Sequence, residues 1–336
     1  MTEILIIRPQ SIQLGDTICS LPMFKAIKKR YPDSFITLAG CPTNYNVDLK
    51  KLNPYLDDVI IYRKDSLKVQ FDFLSELRKK HYDLVVVPST IRISSTSYII
   101  ALLSKGKIKA GIKRFDEEKN PLSFVLDIKA EVDWKKEKTN QVYRFLDCVR
   151  GAGCNLSEDE IKSMRIQLSE EETDFGNNFI TEYFPDRNKK IFGFHAGGGE
   201  KENLWSTRNY FDLISRTYEK YKPYILLTSG ILDEEITNEL GMMLKNAGIN
   251  YATAKNLDAY KLASILKHTD LYVSNDTGVM HLAAYAGTKT LTVFRKDKPD
   301  EWLPLFNESK YVESETYKIK DIKTEEVFEK VKEFYP

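Results

Sequence analysis

Residues 271–294 read Leu-Tyr-Val-Ser-Asn-Asp-Thr-Gly-Val-Met-His-Leu-Ala-Ala-Tyr-Ala-Gly-Thr-Lys-Thr-Leu-Thr-Val-Phe. An apolar run over 271–274 gives way to Asp, Thr and Gly, a helical pattern follows over 279–286, and a second β-branched run closes the stretch over 290–294. Strand, turn, helix and strand in such short compass form one βαβ unit, which requires a parallel sheet.

The same rhythm extends outward. Upstream lie strand patterns at 191–195 and 224–228, with helical patterns near 208–221, 233–247 and 259–267. The first half repeats it, with strands at 4–8, 35–39, 59–62, 84–88 and 108–111. An amphipathic stretch over 17–30 carries Ile18, Leu21, Phe24 and Ile27 on one side. A polar, acidic segment over 156–188 separates the two rhythms, and the linker is placed at 163–172. The chain is therefore read as α/β, with two similar doubly wound domains over 1–162 and 173–322 facing each other across a cleft. A helix over 324–334, in the closing segment 323–336, is expected to pack back onto the first domain. A length of 336 residues suits two units of about 150 each.

Bulk composition excludes several classes. The 50 basic and 49 acidic residues nearly cancel, which argues against a dedicated nucleic-acid binder. Cys19, Cys41, Cys148 and Cys154 show neither zinc spacing nor a disulfide framework, as a reducing cytoplasm allows. The first ten residues open directly into a strand pattern without signal-peptide character, and no apolar run approaches the roughly 18 residues of a spanning helix. The expectation is a cytoplasmic protein, with any membrane contact peripheral. The lysine-rich stretch 105–113 reads either as a solvated edge or as a surface for anionic headgroups.

Chemistry can sit at three strand-to-helix junctions. The first runs from Arg8 to Thr17 and contains Gly15 and Asp16. In one reading Gly15 makes the turn and Asp16 or Thr17 caps the helix. In the other, Asp16 lies at the carboxyl end of strand one, where open α/β sheets present ligands, and takes a proton from an attacking hydroxyl. The loop lacks the dinucleotide fingerprint. The second junction, His195-Ala-Gly197-Gly198-Gly199-Glu200-Lys201, lets backbone N–H groups approach phosphate oxygens, with Lys201 or Arg208 adding charge; otherwise it is a surface loop. Trp205 reads as a core aromatic. The third is Ser274-Asn275-Asp276-Thr277-Gly278, with His281 one turn into the helix. Asp276 and Thr277 can cap that helix, and its N-terminus suits a diphosphate.

In this order and spacing, Arg8–Pro22, His195–Arg208 and Ser274–Gly287 resemble the family 9 glycosyltransferases, the ADP-heptose:lipopolysaccharide heptosyltransferases. The resemblance implies a GT-B fold of two Rossmann-like domains, the first binding acceptor and the second a nucleotide-sugar. It also implies inverting transfer of heptose or a related sugar to an oligosaccharide of a surface glycolipid, without a metal. No cofactor is implied beyond the nucleotide-diphosphate-sugar co-substrate, ADP-heptose in the family. Carried over by motif, Asp16 matches the general base, with Arg8 and Gly15 on the acceptor side. Gly198, Gly199, Lys201, Arg208, Asp276, Thr277, Gly278 and His281 fall on the donor side. The family places an acid after the second strand of the donor domain to hold the ribose hydroxyls; residues 228–235 offer Asp233, Glu234 and Glu235 as candidates, of which Glu234 is favoured here. The chain departs from the family in two places. Asn203 and Ser206 stand where Lys and Pro flank the tryptophan, and Arg295-Lys296-Asp297 stands where Gly-Pro-Thr follows the strand. These departures leave open a nucleotide-sugar or glycan binder without turnover, another hexose donor, or an epimerase on the same scaffold.

Overall fold

Strand β1 (Thr2–Arg8) pairs in parallel with β2 (Ser34–Gly40) on one side and β4 (Tyr82–Val87) on the other. In this computed structural model, which describes residues 1–9, 13–41, 48–199 and 204–336, the chain divides into two units, Met1–Ile161 and Lys162–Pro336.

The first sheet has the order β3 (Asp58–Ile61), β2, β1, β4, β5 (Gly106–Phe115), β6 (Glu118–Lys119), and β7 (Ile128–Val132) also pairs with β5. All pairings are parallel except β5 with β6. Strand order reverses between β1 and β4, which opens a crevice at their carboxyl ends. Helix α1 (Leu14–Arg30) packs beside α5 (Gln141–Arg150). Between these, α2 (Leu49–Leu52), α3 (Leu67–Leu77) and α4 (Ser95–Leu103) follow β2, β3 and β4, and α6 (Glu158–Lys162) closes the unit.

The second unit opens with α7 (Glu170–Tyr183). It then alternates β8 (Ile191–His195), α8 (Thr207–Tyr221), β9 (Tyr224–Ser229), α9 (Glu234–Asn246), β10 (Tyr251–Lys255), α10 (Ala259–Leu266), β11 (Leu271–Asn275), α11 (Gly278–Ala286) and β12 (Lys289–Phe294). After α12 (Pro299–Trp302) and β13 (Ser309–Glu313) comes α13 (Thr324–Phe334). Its sheet is parallel throughout, in the order β10-β9-β8-β11-β12-β13. The reversal falls between β8 and β11, both buried along their whole length. Burial on both faces explains their continuous apolar character.

Several elements differ from the sequence reading. β10 and β13 are edge strands, half solvated, and so lack the apolar run that marks the central strands. α1 begins at Leu14 with Gln13 as its N-cap, so Gly15 and Asp16 lie inside the first turn rather than before it. Segment 163–172 is bound to the second unit. The Ile166 N–H donates to the Tyr285 carbonyl (3.0 Å) and Met164 is buried. Its acidic run is the first turn of α7, where Ser169 and Glu172 form a reciprocal capping box. The terminal helix, expected to return to the first domain, lays Val327, Val331 and Phe334 into the core of the second unit. The Tyr335 hydroxyl donates to the Asp270 carbonyl (3.0 Å) beneath it.

Candidate active site

In the first unit the chemistry gathers where β1 leads into α1. Arg8 ends the strand and its guanidinium stacks on Phe145 of α5, 4.8 Å from the ring centroid. Asp16 occupies the first turn of α1, a position the helix dipole favours for a carboxylate. Its Oδ1 is buried with no hydrogen-bond partner among the described residues. Burial raises the Asp16 carboxyl above its usual range, while the charge of Arg8 pulls it back down. Burial likewise lowers Arg8, and the Asp16 charge opposes that shift. A small cleft lined by Arg8, Thr17, Ser20, Phe24, Leu38 and Asn53 lies alongside. Gly15 is buried as the second residue of α1. Across the strand-order reversal, the segment after β4 contributes buried Ser89, whose Oγ bonds the Tyr98 hydroxyl at 3.2 Å.

In the second unit the glycine loop after β8 is held from both sides. Asp233 Oδ1 accepts the Gly198 N–H at 3.0 Å. The Asn275 side-chain amide donates to the carbonyls of Ala196 and Gly197, both at 3.0 Å, while its Oδ1 accepts the Trp205 N–H at 3.1 Å. At Gly197 any Cβ would sit 2.2 Å from Asp233 Cγ, so glycine is required there. A Cβ on Gly198 would come within 3.0 Å of Leu204 and 3.4 Å of Thr277, whereas Gly199 faces open space. His195, at the end of β8, is buried and lowered by desolvation, with Asp233 and the Thr228 carbonyl opposing. Its Nδ1 lies 3.0 Å from that carbonyl and its Nε2 lies 3.7 Å from Asp233 Oδ2.

The α11 junction stands on the other side of the same reversal. Thr277 is the N-cap residue of α11 in extended conformation, but its side chain makes no capping bond and its Oγ1 is buried and unpartnered among the described residues. The capping expected from the sequence is therefore absent at Thr277. The first turn of α11 also carries no acidic residue, so the positive end of the helix dipole is not offset from within. Asp276 and Gly278 are both half-buried at this helix start.

Four donor-side expectations concern Arg208, His281, Glu234 and Lys201. Arg208 is exposed, paired with Asp212 of its own helix (3.1 Å) and stacked on Phe211. His281 is buried and desolvation lowers it to about 4, which leaves it neutral near pH 7 and packed edge-on toward Trp302. Glu234, the first residue of α9, contacts the Asn256 amide, while its neighbour Asp233 reaches the glycine loop. Lys201, with the rest of 200–203, lies outside the described residues. Asp233, Asn275 and His195 lie within stretches the sequence reading singled out, but it assigned none of them an individual role. The available signals were an acid closing the turn after β9 and an Asn at the end of a buried strand.

Among the described residues there is no group of three or more His, Cys, Asp or Glu placed to hold a metal ion, and no helix long and apolar enough to cross a membrane. No disulfide joins any of the four cysteines, and burial pushes the Cys154 thiol up to about 11.

The model of glycosyltransferase family 9 (heptosyltransferase) matches residues 71–332. Lipooligosaccharide heptosyltransferase 2 of Campylobacter jejuni is 23% identical over 297 residues, covering 88% of this chain and 82% of that protein. The solved family 9 glycosyltransferase of Veillonella parvula shares the fold with a TM-score of 0.78 at 16% identity, over 99% of this chain and 97% of that one. The E. coli ADP-heptose lps heptosyltransferase II does so at 0.73 and 19% identity, over 99% and 98%. The two Rossmann-like units are those of the GT-B class. With a family model matched over most of its length, the chain belongs to glycosyltransferase family 9 and is a glycosyltransferase.

Proposed function

We propose that this enzyme transfers heptose or a related sugar, with inversion and without a metal, from a nucleoside-diphosphate donor to an oligosaccharide of a surface glycolipid. The names of the similar E. coli and Campylobacter proteins support this donor and acceptor class. In this reading the second unit binds the donor. The amides of Gly199, Thr277 and Gly278 meet the diphosphate at the strand-order reversal, Gly198, whose N–H is held by Asp233, sets the loop that presents them, and Asp276 shapes the turn between them. Lys201 supplies the cation that Arg208, engaged by Asp212, does not. His281 supports the helix start as a neutral packing group rather than as a ligand.

The first unit supplies the base. The acceptor hydroxyl oxygen attacks the anomeric carbon as the bond from that carbon to the diphosphate oxygen breaks. The hydroxyl proton passes to the Asp16 carboxylate, and the nucleoside diphosphate leaves with the electron pair. Gly15 and Arg8 flank that carboxylate on the acceptor side. The observation that carries this role is the buried, unpartnered Oδ1 of Asp16 beside a cation at the crevice end of β1. The family match begins at residue 71, so this assignment rests on the Asp16 geometry and its sequence motif.

The test is Asp16→Asn with ADP-heptose as donor. Release of ADP should fall by about 10²–10⁴, while calorimetric ADP affinity stays near wild type. Near-normal turnover would remove Asp16 from the role. Unchanged wild-type turnover in a chelator is expected, and a loss restored by a divalent cation would refute metal independence.

A further inference from the structure

After a polar first turn, helix α4 presents apolar side chains on both its inner and its outer face. Its inner face, Tyr98, Ile100 and Ala101, is buried in the first core. Its outer face carries Ile99, Leu102 and Leu103 at helical spacing, with Ile99 47% and Leu102 53% exposed, and no charged residue occurs in the whole helix. A helix with apolar side chains on opposite faces ordinarily buries both. The adjoining 3-10 turn (Ser123–Val125), which packs on α4, adds Phe124 at 68% exposure. Exposed apolar patches of this kind mark interaction surfaces.

The charge around the patch indicates what covers it. The chain leaves α4 directly into Lys105, Lys107 and Lys109. In the register of β5 against β4, Lys109 stands beside Val85, which belongs to the core under α4, so Lys107 and Lys109 lie on the α4 side of the sheet. Lys107 pairs with Asp83 (2.7 Å). Lys105 and Lys109 have no ion pair among the described residues, nor does Arg92 before the helix. The facing acids are few. Asp127 accepts the Lys109 N–H, Glu118 accepts the Ile93 N–H, and Glu117 lies beside it at the far end of β5. A bilayer needs only apolar insertion and cationic attraction, two signals that together give stable anchoring.

We infer that the outer face of α4, with Phe124 and the lysines 105–109, docks the protein onto an anionic lipid surface. The inference is independent of how Asp16 acts and concerns a different face of the chain.

Flotation of the full chain with vesicles of phosphatidylcholine, alone or mixed with phosphatidylglycerol, tests it. Wild type should float with the mixed vesicles, and less so as salt rises. Leu102→Asp and Phe124→Ser should each cut the bound fraction at least about tenfold, since each removes a partly inserted apolar side chain. Lys105→Glu should abolish the preference for the mixed vesicles. Because these side chains are exposed, thermal melting should hold, and turnover on a water-soluble oligosaccharide acceptor should stay at the wild-type level. Three results would each overturn the inference: no vesicle binding by wild type, undiminished binding by Leu102→Asp, or a wild-type dimer that Leu102→Asp dissociates. In the last case a second copy is the occupant.

Discussion

Asp233 fastens the glycine loop: its Oδ1 accepts the Gly198 N–H at 3.0 Å, and its Oδ2 lies 3.7 Å from His195 Nε2 and 3.4 Å from Gly230 N. A residue at the entrance to α9 thus sets the backbone that follows β8. Asp233→Ala should destabilise the protein by about 1–3 kcal/mol, because it strands a part-buried N–H, and should raise the donor KM. Asp233→Asn keeps an acceptor oxygen and should cost less. Denaturant titration with donor kinetics checks both. Gly197→Ala should be worse still, since its Cβ would sit 2.2 Å from Asp233 Cγ and the loop backbone must move.

The pair formed by Asp16 and Arg8 predicts the acid limb of the pH profile. Asp16 must be ionised to take a proton, burial raises its pKa and Arg8 lowers it. Activity therefore falls as pH drops through a value above the usual carboxylate range. Removing the cation with Arg8→Met raises that pKa further and moves the acid limb to higher pH. A limb unmoved in kcat/KM would show that Arg8 does not influence Asp16.

His281 predicts a stability loss in mild acid. Its folded pKa is about 4, below the ordinary 6.5 of the unfolded chain, so between those values the unfolded state binds the extra proton. Stability is full above about pH 6.5 and declines as pH falls toward 4, by at most about 3 kcal/mol from this one group. His195, also lowered, acts in the same direction. In melts recorded across that window, His281→Gln should flatten part of the decline.

Arg208 predicts a near-silent substitution. Its side chain is exposed and paired within its own helix. Arg208→Ala should shift stability by no more than about 0.5 kcal/mol and leave ADP affinity within about twofold, as calorimetry can measure. A tenfold loss of affinity would return Arg208 to the phosphate site.

Periodicity alone placed the central strands and the helices around them, because strands buried on both faces must be continuously apolar. It also located the junctions after β1, β8 and β11, since parallel strands feeding helices leave their carboxyl ends open for ligands. The edge strands β10 and β13 escaped because half their side chains meet water. The choice between Asp233 and Glu234 was equally hidden: which carboxylate of a contiguous acidic run turns inward depends on the 3-10 turn (Ile231–Asp233) at the start of α9.

Local pattern, in short range along the chain, thus determined the class of fold and the strand-to-helix junctions at which a diphosphate and a base are proposed. Tertiary structure alone decided that Asn275 and Asp233 clamp one loop and that α13 closes the second core. Those contacts join residues 35 to 114 positions apart, and hydrogen bonds over such spans are set by the packing of whole elements, which no local period encodes.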